Sequence, residues 1–365
     1  PPTEGELAAL TLRSKKWYSR YTRDDGFVAE LWTTFGATDP SEQIDLDVSS
    51  PKVRAYFAEM FRLFAHYGVS TVRLDAVGYV IKRRGTSCFL VEPEFSDFLR
   101  QINDCAREAG IKLLCEIHTD LAQQKQPACE GMSGYDFQLP FTVLHTLMSG
   151  DAGMLCDFLA QRPSASVSTL DCHDGVPVLP DMMGLMTAAQ EKAVLEVCDR
   201  RGARYSRIMS EDHGPEGYTN VHQICGTYYS LLGENDDAYV LARAIQLFVP
   251  GTVQIYYVGL LAGVNDEKEA LAEADDRGLN RHNYTRSEIA AALKRPVVER
   301  LLRVIRLCRS HEAFAGGFAF ERTAEGLTLS WCSGEARISL AVDLAQTKGR
   351  LRFTDEQGEM HEEML

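Results

Sequence analysis

The sequence has no excess of positive charge. Its 365 residues contain 38 Lys and Arg against 52 Asp and Glu, so the net charge is −14 at pH 7. A nucleic-acid-binding protein needs a basic stripe that follows the phosphate backbone. The longest basic cluster, Lys82-Arg83-Arg84, is typical of a solvated loop. We therefore expect no nucleic-acid partner.

The ten cysteines form no C-x-x-C pair and no Cys/His spacing of the kind that binds zinc. They are scattered through apolar segments, which is typical of buried free thiols. Disulfides are rare in reducing compartments. The pattern predicts a cytoplasmic or other reducing location, with no metal and no cofactor.

Only one uncharged run, residues 244–264, is long enough to span a bilayer. It contains Pro250-Gly251, Gln246 and Gln254, and such breakers and polar groups are costly in lipid. We predict a helix end, a turn and a buried strand at 252–258 instead of a membrane span. The sequence begins Pro1-Pro2 without an initiator Met, so we expect the natural N-terminus to lie elsewhere, and the lack of a signal-peptide pattern here decides little.

From residue 51 onward, amphipathic helical segments alternate with short apolar runs. This alternation is typical of parallel strands covered by helices. Two copies of the unit are clearest, each with a glycine that ends the helix. The helix, glycine and strand of these copies are 51–67, Gly68 and 70–74, and then 93–109, Gly110 and 111–116.

Three further apolar runs predict strands, and after Gly316-Gly317 the sequence changes to short segments with strand-like alternation. The length suits one α/β barrel with a small additional domain. We predict an irregular loop or subdomain at 1–50, the barrel at 51–311 and a small antiparallel β-sheet domain at 312–365. The other predicted strands are 136–139, 167–170 and 252–258, the helices 141–148 and 296–310, and the C-terminal strands 327–332, 336–342 and 350–354.

Acidic residues follow three of the predicted strands. In a β/α barrel the chemistry lies at the carboxyl ends of the strands, and Asp75, Glu116 and Asp174 occupy such ends. On neighbouring strands, two carboxylates can approach to the roughly 5–5.5 Å of a retaining glycosidic mechanism. Each acid alone is also typical of a helix N-cap or a loop hydrogen bond, and His118 and His173 alone are typical of packing histidines. The spacing by itself names no substrate.

Six segments around and after these acids form one recognisable set. They are Arg73-Leu74-Asp75-Ala76-Val77-Gly78-Tyr79, Gly85-Thr86-Ser87-Cys88-Phe89, Glu116-Ile117-His118, His173-Asp174-Gly175, Gln254-Ile255-Tyr256-Tyr257-Val258-Gly259 and Asn280-Arg281-His282. In order and in approximate spacing they resemble those of the sucrose phosphorylase group in the α-amylase superfamily, glycoside hydrolase family thirteen. The resemblance covers residues 25–310 and implies a (β/α)8 TIM-barrel fold.

The resemblance implies a retaining α-glucosyl phosphorylase. Asp75 resembles the nucleophile of a covalent glucosyl intermediate, Glu116 the general acid/base, and Asp174 the carboxylate that stabilises the transition state. Phosphate, as co-substrate, would take the glucosyl group to give α-glucose 1-phosphate. Arg73 favours ionised Asp75 by its charge, whereas Glu116 must hold a proton.

The resemblance also implies substrate contacts. Arg73, Tyr79, His118 and His173 belong to the matching segments, and Gln223 and Arg281 stand where acceptor and phosphate contacts are expected. Phe89 resembles an aromatic residue that packs on the glucosyl group, although it is equally typical of ordinary core.

One position bears on the acceptor. His222 stands where plain sucrose phosphorylases tend to have Tyr, and a protonatable His can bind a phosphate oxygen. The residue resembles members that accept sucrose phosphorylated on its fructose. The loop 176–181 also departs from the best-known members. Fructose, fructose phosphate, glycerol and glycerate remain open as acceptors.

The family pattern contains pieces without a counterpart here. The first three barrel strands, which carry an Asp and an Asn-His pair that grip glucose, are missing, so we expect strands four to eight only. Five strands would leave an exposed sheet edge, covered by a missing N-terminal segment or by a partner protein. The alternatives are a catalytically incomplete remnant that serves as a structural or binding subunit, and an α-glucosidase of the same superfamily. Retention of all three carboxylates favours the enzyme.

Overall fold

The structure, a computed structural model, describes residues 3, 5, 6, 9, 18–35, 43–207 and 217–365. These residues fall into two compact units. The first contains 18–35, 43–118 and 122–135, and the second contains 119–121, 136–207 and 217–365. Parts of the predicted N-terminal subdomain, 1–50, lie outside the described residues.

The first unit combines an antiparallel hairpin with three parallel strands in the order β3-β4-β5. Leu74 stands opposite Cys115, and Leu114 opposite Ser133. From residue 51 onward, helices and parallel strands alternate along the chain as the sequence predicts. The elements are β1 (Tyr18–Thr22), β2 (Val28–Trp32), α1 (Pro51–His66), β3 (Thr71–Leu74), a 3₁₀ turn (Val77–Tyr79), α2 (Glu94–Glu108), β4 (Lys112–Cys115), α3 (Leu121–Gln124), α4 (Gln126–Cys129) and β5 (Ser133–Asp136).

The core of the first unit lies between α2 and the parallel strands. Phe95, Leu99 and Ile102 recur at helical spacing on the buried face of α2. They pack in one cluster with Leu113 and Cys115 of β4. This burial fixes the strand, and therefore fixes where its carboxyl end lies.

The second unit begins with two parallel strands, β6 and β10, paired Thr252 to Val167. It also contains the small antiparallel sheet β7-β9-β8. Its elements up to residue 292 are α5 (Leu139–Ser149), α6 (Gly153–Leu159), β6 (Val167–Ser168), β7 (Val176–Pro177), α7 (Ala188–Arg200), β8 (Arg204–Arg207), β9 (Val221–Cys225), α8 (Tyr228–Leu231), α9 (Asp236–Phe248), β10 (Thr252–Val253), α10 (Tyr257–Leu260), α11 (Glu267–Glu273), a 3₁₀ turn (Asp276–Asn280) and α12 (Arg286–Ala292).

The end of the chain forms a five-stranded antiparallel sheet in sequential order within the second unit. Trp331 fixes it to α9, because its indole Nε1 donates to the carbonyl of Phe248 at 2.7 Å. The elements are α13 (Pro296–Ser310), a 3₁₀ turn (Glu312–Ala315), β11 (Gly317–Arg322), β12 (Gly326–Ser333), β13 (Ala336–Asp343), β14 (Lys348–Thr354) and β15 (Met360–Met364).

These elements confirm the predicted β/α class and the C-terminal antiparallel sheet. Three strand predictions are wrong in detail. The strand predicted at 167–170 ends at Ser168. The strand predicted at 136–139 is Ser133–Asp136, because Leu139-Pro140 begins a helix. The strand predicted at 252–258 ends at Val253, and Tyr257–Leu260 is helical.

The cysteines and the apolar helices also bear on predictions. All ten thiols are free, but only six are buried, and Cys129 and Cys332 are exposed, so the expectation that all are buried is wrong.

Within the described residues, no helix combines the length and the apolarity that crossing a membrane requires.

A buried arginine organises the middle of the second unit. Arg243 on α9 is fully buried and places Nη2 2.5 Å from Oδ2 of Asp171, just after β6. Its guanidinium also bonds to Tyr239 and Gln246. Gly259 is required beside this pair, since a Cβ there would lie 2.0 Å from Nη2 of Arg243.

We expect Arg243→Met to lower the free energy of unfolding by about 3–5 kcal/mol, because it leaves the Asp171 carboxylate buried without its partner. Denaturant unfolding measures this. The control is Arg322→Met, which breaks an exposed pair with Asp151 (2.7 Å) and should cost at most about 1 kcal/mol. Equal losses in the two variants would contradict the role of Arg243.

Candidate active site

The pairing of β3 with β4 brings two predicted catalytic acids together. Asp75 directly follows β3 and Glu116 directly follows β4. The ladder continues one step past the strands, since the amide of Glu116 donates to the carbonyl of Leu74 at 3.1 Å. Both carboxylates therefore lie at the same edge of the parallel strands.

Arg73 binds both carboxylates. Its Nη1 lies 2.5 Å from Oδ1 of Asp75, and its Nη2 lies 2.7 Å from Oε2 of Glu116. The guanidinium also lies over the ring of Tyr135, 5.9 Å from its centroid. A planar fork of donors holds its partners in fixed geometry, so Arg73 determines where the two acids point.

Two further groups hold Glu116. The amide of Ala76 donates to Oε2 at 3.0 Å, and Nε2 of His118 lies 3.8 Å from Oε1. Ala76 has φ 44° and ψ 37°, the left-handed conformation that non-glycine residues rarely adopt. Such strain is typical of functional sites, and here it turns a backbone donor toward the acid.

The two acids differ in exposure and in proton affinity. The side chain of Glu116 is 9% exposed, whereas that of Asp75 is 76% exposed. Burial favours the neutral form of Glu116, but His118 and Arg73 outweigh it and lower its pKa from 4.5 to about 2. Burial and the neighbouring Glu116 raise the pKa of Asp75 against the opposing effect of Arg73. This order of pKa shifts is the reverse of the expected one, because Arg73 and His118 gather around Glu116.

Tyr79 and Phe89 form an aromatic pair in the loop after β3. Their ring centroids are 4.6 Å apart at an interplanar angle of 50°. Phe89 also packs on the core of the first unit, so its packing role is observed. Gly78 is required there, since a Cβ would lie 2.6 Å from the Phe89 ring.

In the second unit, cationic groups surround Asp174. Nη1 of Arg277 lies 3.0 Å from its Oδ1, and Nη2 of Arg281 lies 3.5 Å from the same oxygen. Nε2 of His173 lies 3.4 Å from Oδ2. Arg281 also donates to the carbonyl of His173 at 2.8 Å. The predicted residues His173, Asp174 and Arg281 are thus brought together.

Arg277 was missed in the sequence. It binds Asp174 and also forms a fork with Asp275, with Nη2 to Oδ2 at 2.7 Å. No local pattern signals this role. Arg277 lies in the 3₁₀ turn Asp276–Asn280, where side chains four apart do not share one side, and it meets Asp174 only through the tertiary fold.

His222 and Gln223 lie on β9, beside the chain that leaves Asp174. Pro177 of β7 stands opposite Gln223. Close approach requires glycine at 175, where φ is 117° and a Cβ would lie 2.5 Å from the carbonyl oxygen of Ile224. Nδ1 of His222 lies 2.6 Å from the carbonyl of Leu179. A carbonyl only accepts, so Nδ1 carries the proton of that bond.

One set of described residues offers three potential metal ligands, Cys172, His173 and Asp174, with donor atoms within 4.8 Å of one another. Its chemistry does not suit a metal ion. Burial raises the pKa of the Cys172 thiol to about 12, and two guanidinium groups already neutralise Asp174.

Known proteins resemble the chain over nearly its whole length, although no family model matches it. It is 46% identical to the sucrose 6(F)-phosphate phosphorylase of Thermoanaerobacterium thermosaccharolyticum over 98% of its length. It is 38% identical to the sucrose phosphorylase of Agrobacterium vitis and 34% identical to the glucosylglycerol phosphorylase of Marinobacter adhaerens. The chain spans 74%, 66% and 73% of these three relatives, respectively.

Solved structures agree. The crystal structure of sucrose 6F-phosphate phosphorylase from Thermoanaerobacter thermosaccharolyticum matches all of the chain, and 75% of that protein, with a TM-score of 0.96 and 45% identity. The α-amylase of H. orenii, 12% identical with a TM-score of 0.60, shares the fold alone. The chain belongs to the sucrose phosphorylase group of the α-amylase superfamily.

Proposed function

We propose that the protein is a retaining α-glucosyl phosphorylase that cleaves sucrose, or sucrose phosphorylated on its fructose, with phosphate to give α-glucose 1-phosphate. One observation carries the proposal. A single guanidinium, that of Arg73, binds the carboxylates of Asp75 and Glu116 at neighbouring strand ends. A pair of acids held this way is what a double-displacement mechanism at a sugar carbon requires.

The names of the relatives support this reaction class over the alternatives. The three most similar proteins cited above are all described as phosphorylases. They favour neither a structural subunit nor an α-glucosidase.

In the first half-reaction, Asp75 attacks the anomeric carbon and Glu116 protonates the leaving oxygen. Exposure suits Asp75 to this role, because its carboxylate is accessible to a sugar while Arg73 favours its ionised form. Glu116 must gain a proton in the substrate complex. His118, which lowers the pKa of Glu116, must then move away from its carboxylate.

In the second half-reaction, phosphate attacks the glucosyl-Asp75 ester and Glu116 acts as base. Esterification removes the charge of Asp75, and a neighbour without charge favours ionised Glu116. The low pKa of Glu116 matches this step. Asp174 is proposed to bind sugar hydroxyls with His173, and Arg281 with Gln223 to contact the acceptor or the phosphate. Inorganic phosphate is a co-substrate, and the proposed reaction requires no cofactor.

We also propose a partner segment for the first unit. Tyr56 and Leu63 on α1 and Tyr67 directly after it are 52%, 45% and 76% exposed. Large apolar side chains exposed near one another are typical of an interaction site. A further polypeptide segment, from the same or another chain, would cover it. The activity assay is therefore run with the protein alone and with the unmatched quarter of the Thermoanaerobacterium relative added.

The first prediction concerns the reaction. With sucrose and phosphate, the protein should release glucose 1-phosphate, either alone or with the unmatched quarter of the Thermoanaerobacterium relative added. Glu116→Gln should lower that rate at least about a hundredfold, as loss of an acid/base group does. Asp75→Asn should abolish it. Equal rates in the three proteins, or none in any, would refute the enzyme, and sugar release without phosphate would select a hydrolase.

The second prediction concerns the proton. His118→Ala should raise the pKa of Glu116 from about 2 toward its ordinary 4.5, measured by a carboxyl carbon NMR titration. A lowered folded-state pKa contributes stability above the unfolded value that is lost as pH falls. The parent protein should therefore lose more stability than His118→Ala between pH 4.5 and about 2. An unchanged titration would show that His118 does not control Glu116.

The third prediction concerns the acceptor. Nδ1 of His222 bonds to Leu179, so a phosphate contact must use Nε2, and Tyr has no cation to replace it. His222→Tyr should lower the kcat/KM ratio of fructose-phosphorylated sucrose to sucrose by about ten- to a hundredfold, the usual worth of a hydrogen bond to a charged group. An unaltered ratio would remove His222 from specificity. His311→Tyr, directly after α13, is the control.

A further inference from the structure

The motif Asn280-Arg281-His282 has two members that the proposed function does not use. Asn280 and Arg281 bind two successive carbonyls beside the candidate site. The amide Nδ2 of Asn280 donates to the carbonyl of Cys172 at 2.9 Å, and Nε of Arg281 donates to that of His173 at 2.8 Å. These bonds hold the chain that leads into Asp174.

His282 faces away from those carbonyls, toward two acids. Its Nδ1 lies 2.5 Å from Oδ2 of Asp266, and its Nε2 lies 3.5 Å from Oε1 of Glu288. Its own carbonyl accepts from the hydroxyl of Tyr257 at 2.9 Å. A carboxylate oxygen only accepts, so Nδ1 carries the hydrogen of its bond to Asp266.

Both carboxylates are fixed by their own helices. Oδ1 of Asp266 caps α11, since it accepts from the amides of Lys268 at 3.0 Å and Glu269 at 3.1 Å. Oε2 of Glu288 closes the capping box of α12 with Thr285, accepting from its amide at 2.6 Å. The remaining oxygen of each acid is turned to His282. The imidazole is therefore attached to two helix N-termini.

The attachment matters because Arg281 has two carboxylates within reach. Its Nη2 lies 3.5 Å from Asp174, and its Nη1 lies 3.8 Å from Glu273 of α11. Because both contacts are long, a displacement of the backbone by a few tenths of an ångström would weaken the one to Asp174. A bond on the neighbouring residue limits that displacement.

We propose that His282 is a positioning residue that holds Arg281 on Asp174 and His173 by clamping residues 280–282 to α11 and α12. Its catalytic consequence rests on the proposed function. Its structural consequence is independent of that function. Loss of the clamp loosens residues 276–283 and also residues 172–175.

The test compares His282→Gln with His361→Gln. His361 makes a similar pair with Asp355 (2.6 Å) in the C-terminal sheet. Hydrogen exchange read by mass spectrometry should accelerate about three- to tenfold in both segments of His282→Gln, the size of one lost hydrogen bond. His361→Gln should leave them unchanged. Unchanged exchange at 172–175 in His282→Gln overturns the proposal.

A second variant covers the case in which His282→Gln does not fold. Glu288→Gln removes the charge that faces His282 but keeps the capping box, which accepts Gln. It should accelerate exchange in the same segments by a smaller factor. No change in them would overturn the clamp.

Kinetics then separates positioning from general loosening. His282→Gln should lower kcat/KM for phosphate about ten- to a hundredfold, as misplacement does. In Arg281→Ala, adding His282→Gln should cause no further loss, because the clamp acts through Arg281. Additive losses overturn the proposal. If the parent protein turns over no sucrose, the proposed function fails while the exchange experiment still decides the clamp.

Discussion

The candidate site depends on one interaction, the binding of two carboxylates by the guanidinium of Arg73. Parallel pairing of β3 and β4 places Asp75 and Glu116 at one sheet edge. Without a cation, two acids so close would repel and share a proton. Arg73 allows both to approach, and the left-handed turn at Ala76 adds a backbone donor to Glu116. Arg73, a residue of the strand itself, therefore ties the sheet to the two proposed catalytic acids.

In the second unit, two arginines bind the carboxylate of Asp174. A protein with a net charge of −14 must gather positive charge locally to handle an anion such as phosphate. Arg277 and Arg281 do this around Asp174. Deeper in the unit, Asp171 is neutralised by the buried Arg243, so that acid belongs to the fold and Asp174 to the candidate site.

Local patterns predict most of this architecture. Apolar periodicity and the glycines after helices locate α1, β3, α2 and β4 to within one or two residues, because those segments bury one clear face. The strand predicted at 136–139 was misplaced because the apolar pair Leu139-Pro140 is compatible both with the end of a strand and with the first turn of a helix. The strand β15 was missed because Met360–Met364 is largely exposed and polar. The strand β11 was missed although Phe318 and Phe320 alternate along it at strand period. Arg277 and the turn of Ala76 depend on tertiary contacts that no local pattern encodes. The roles of the predicted site residues stay predictions.

Trapping the covalent intermediate tests the central claim most directly. Glu116→Gln is incubated with α-glucosyl fluoride, which needs no acid to leave, in both samples of the activity assay, and the protein is digested for mass spectrometry. The account predicts one glucosyl group on the peptide that contains Asp75, and none when Asp75 is also replaced with Asn. A glucosyl group on another residue, or none in the presence of Asp75, would contradict it.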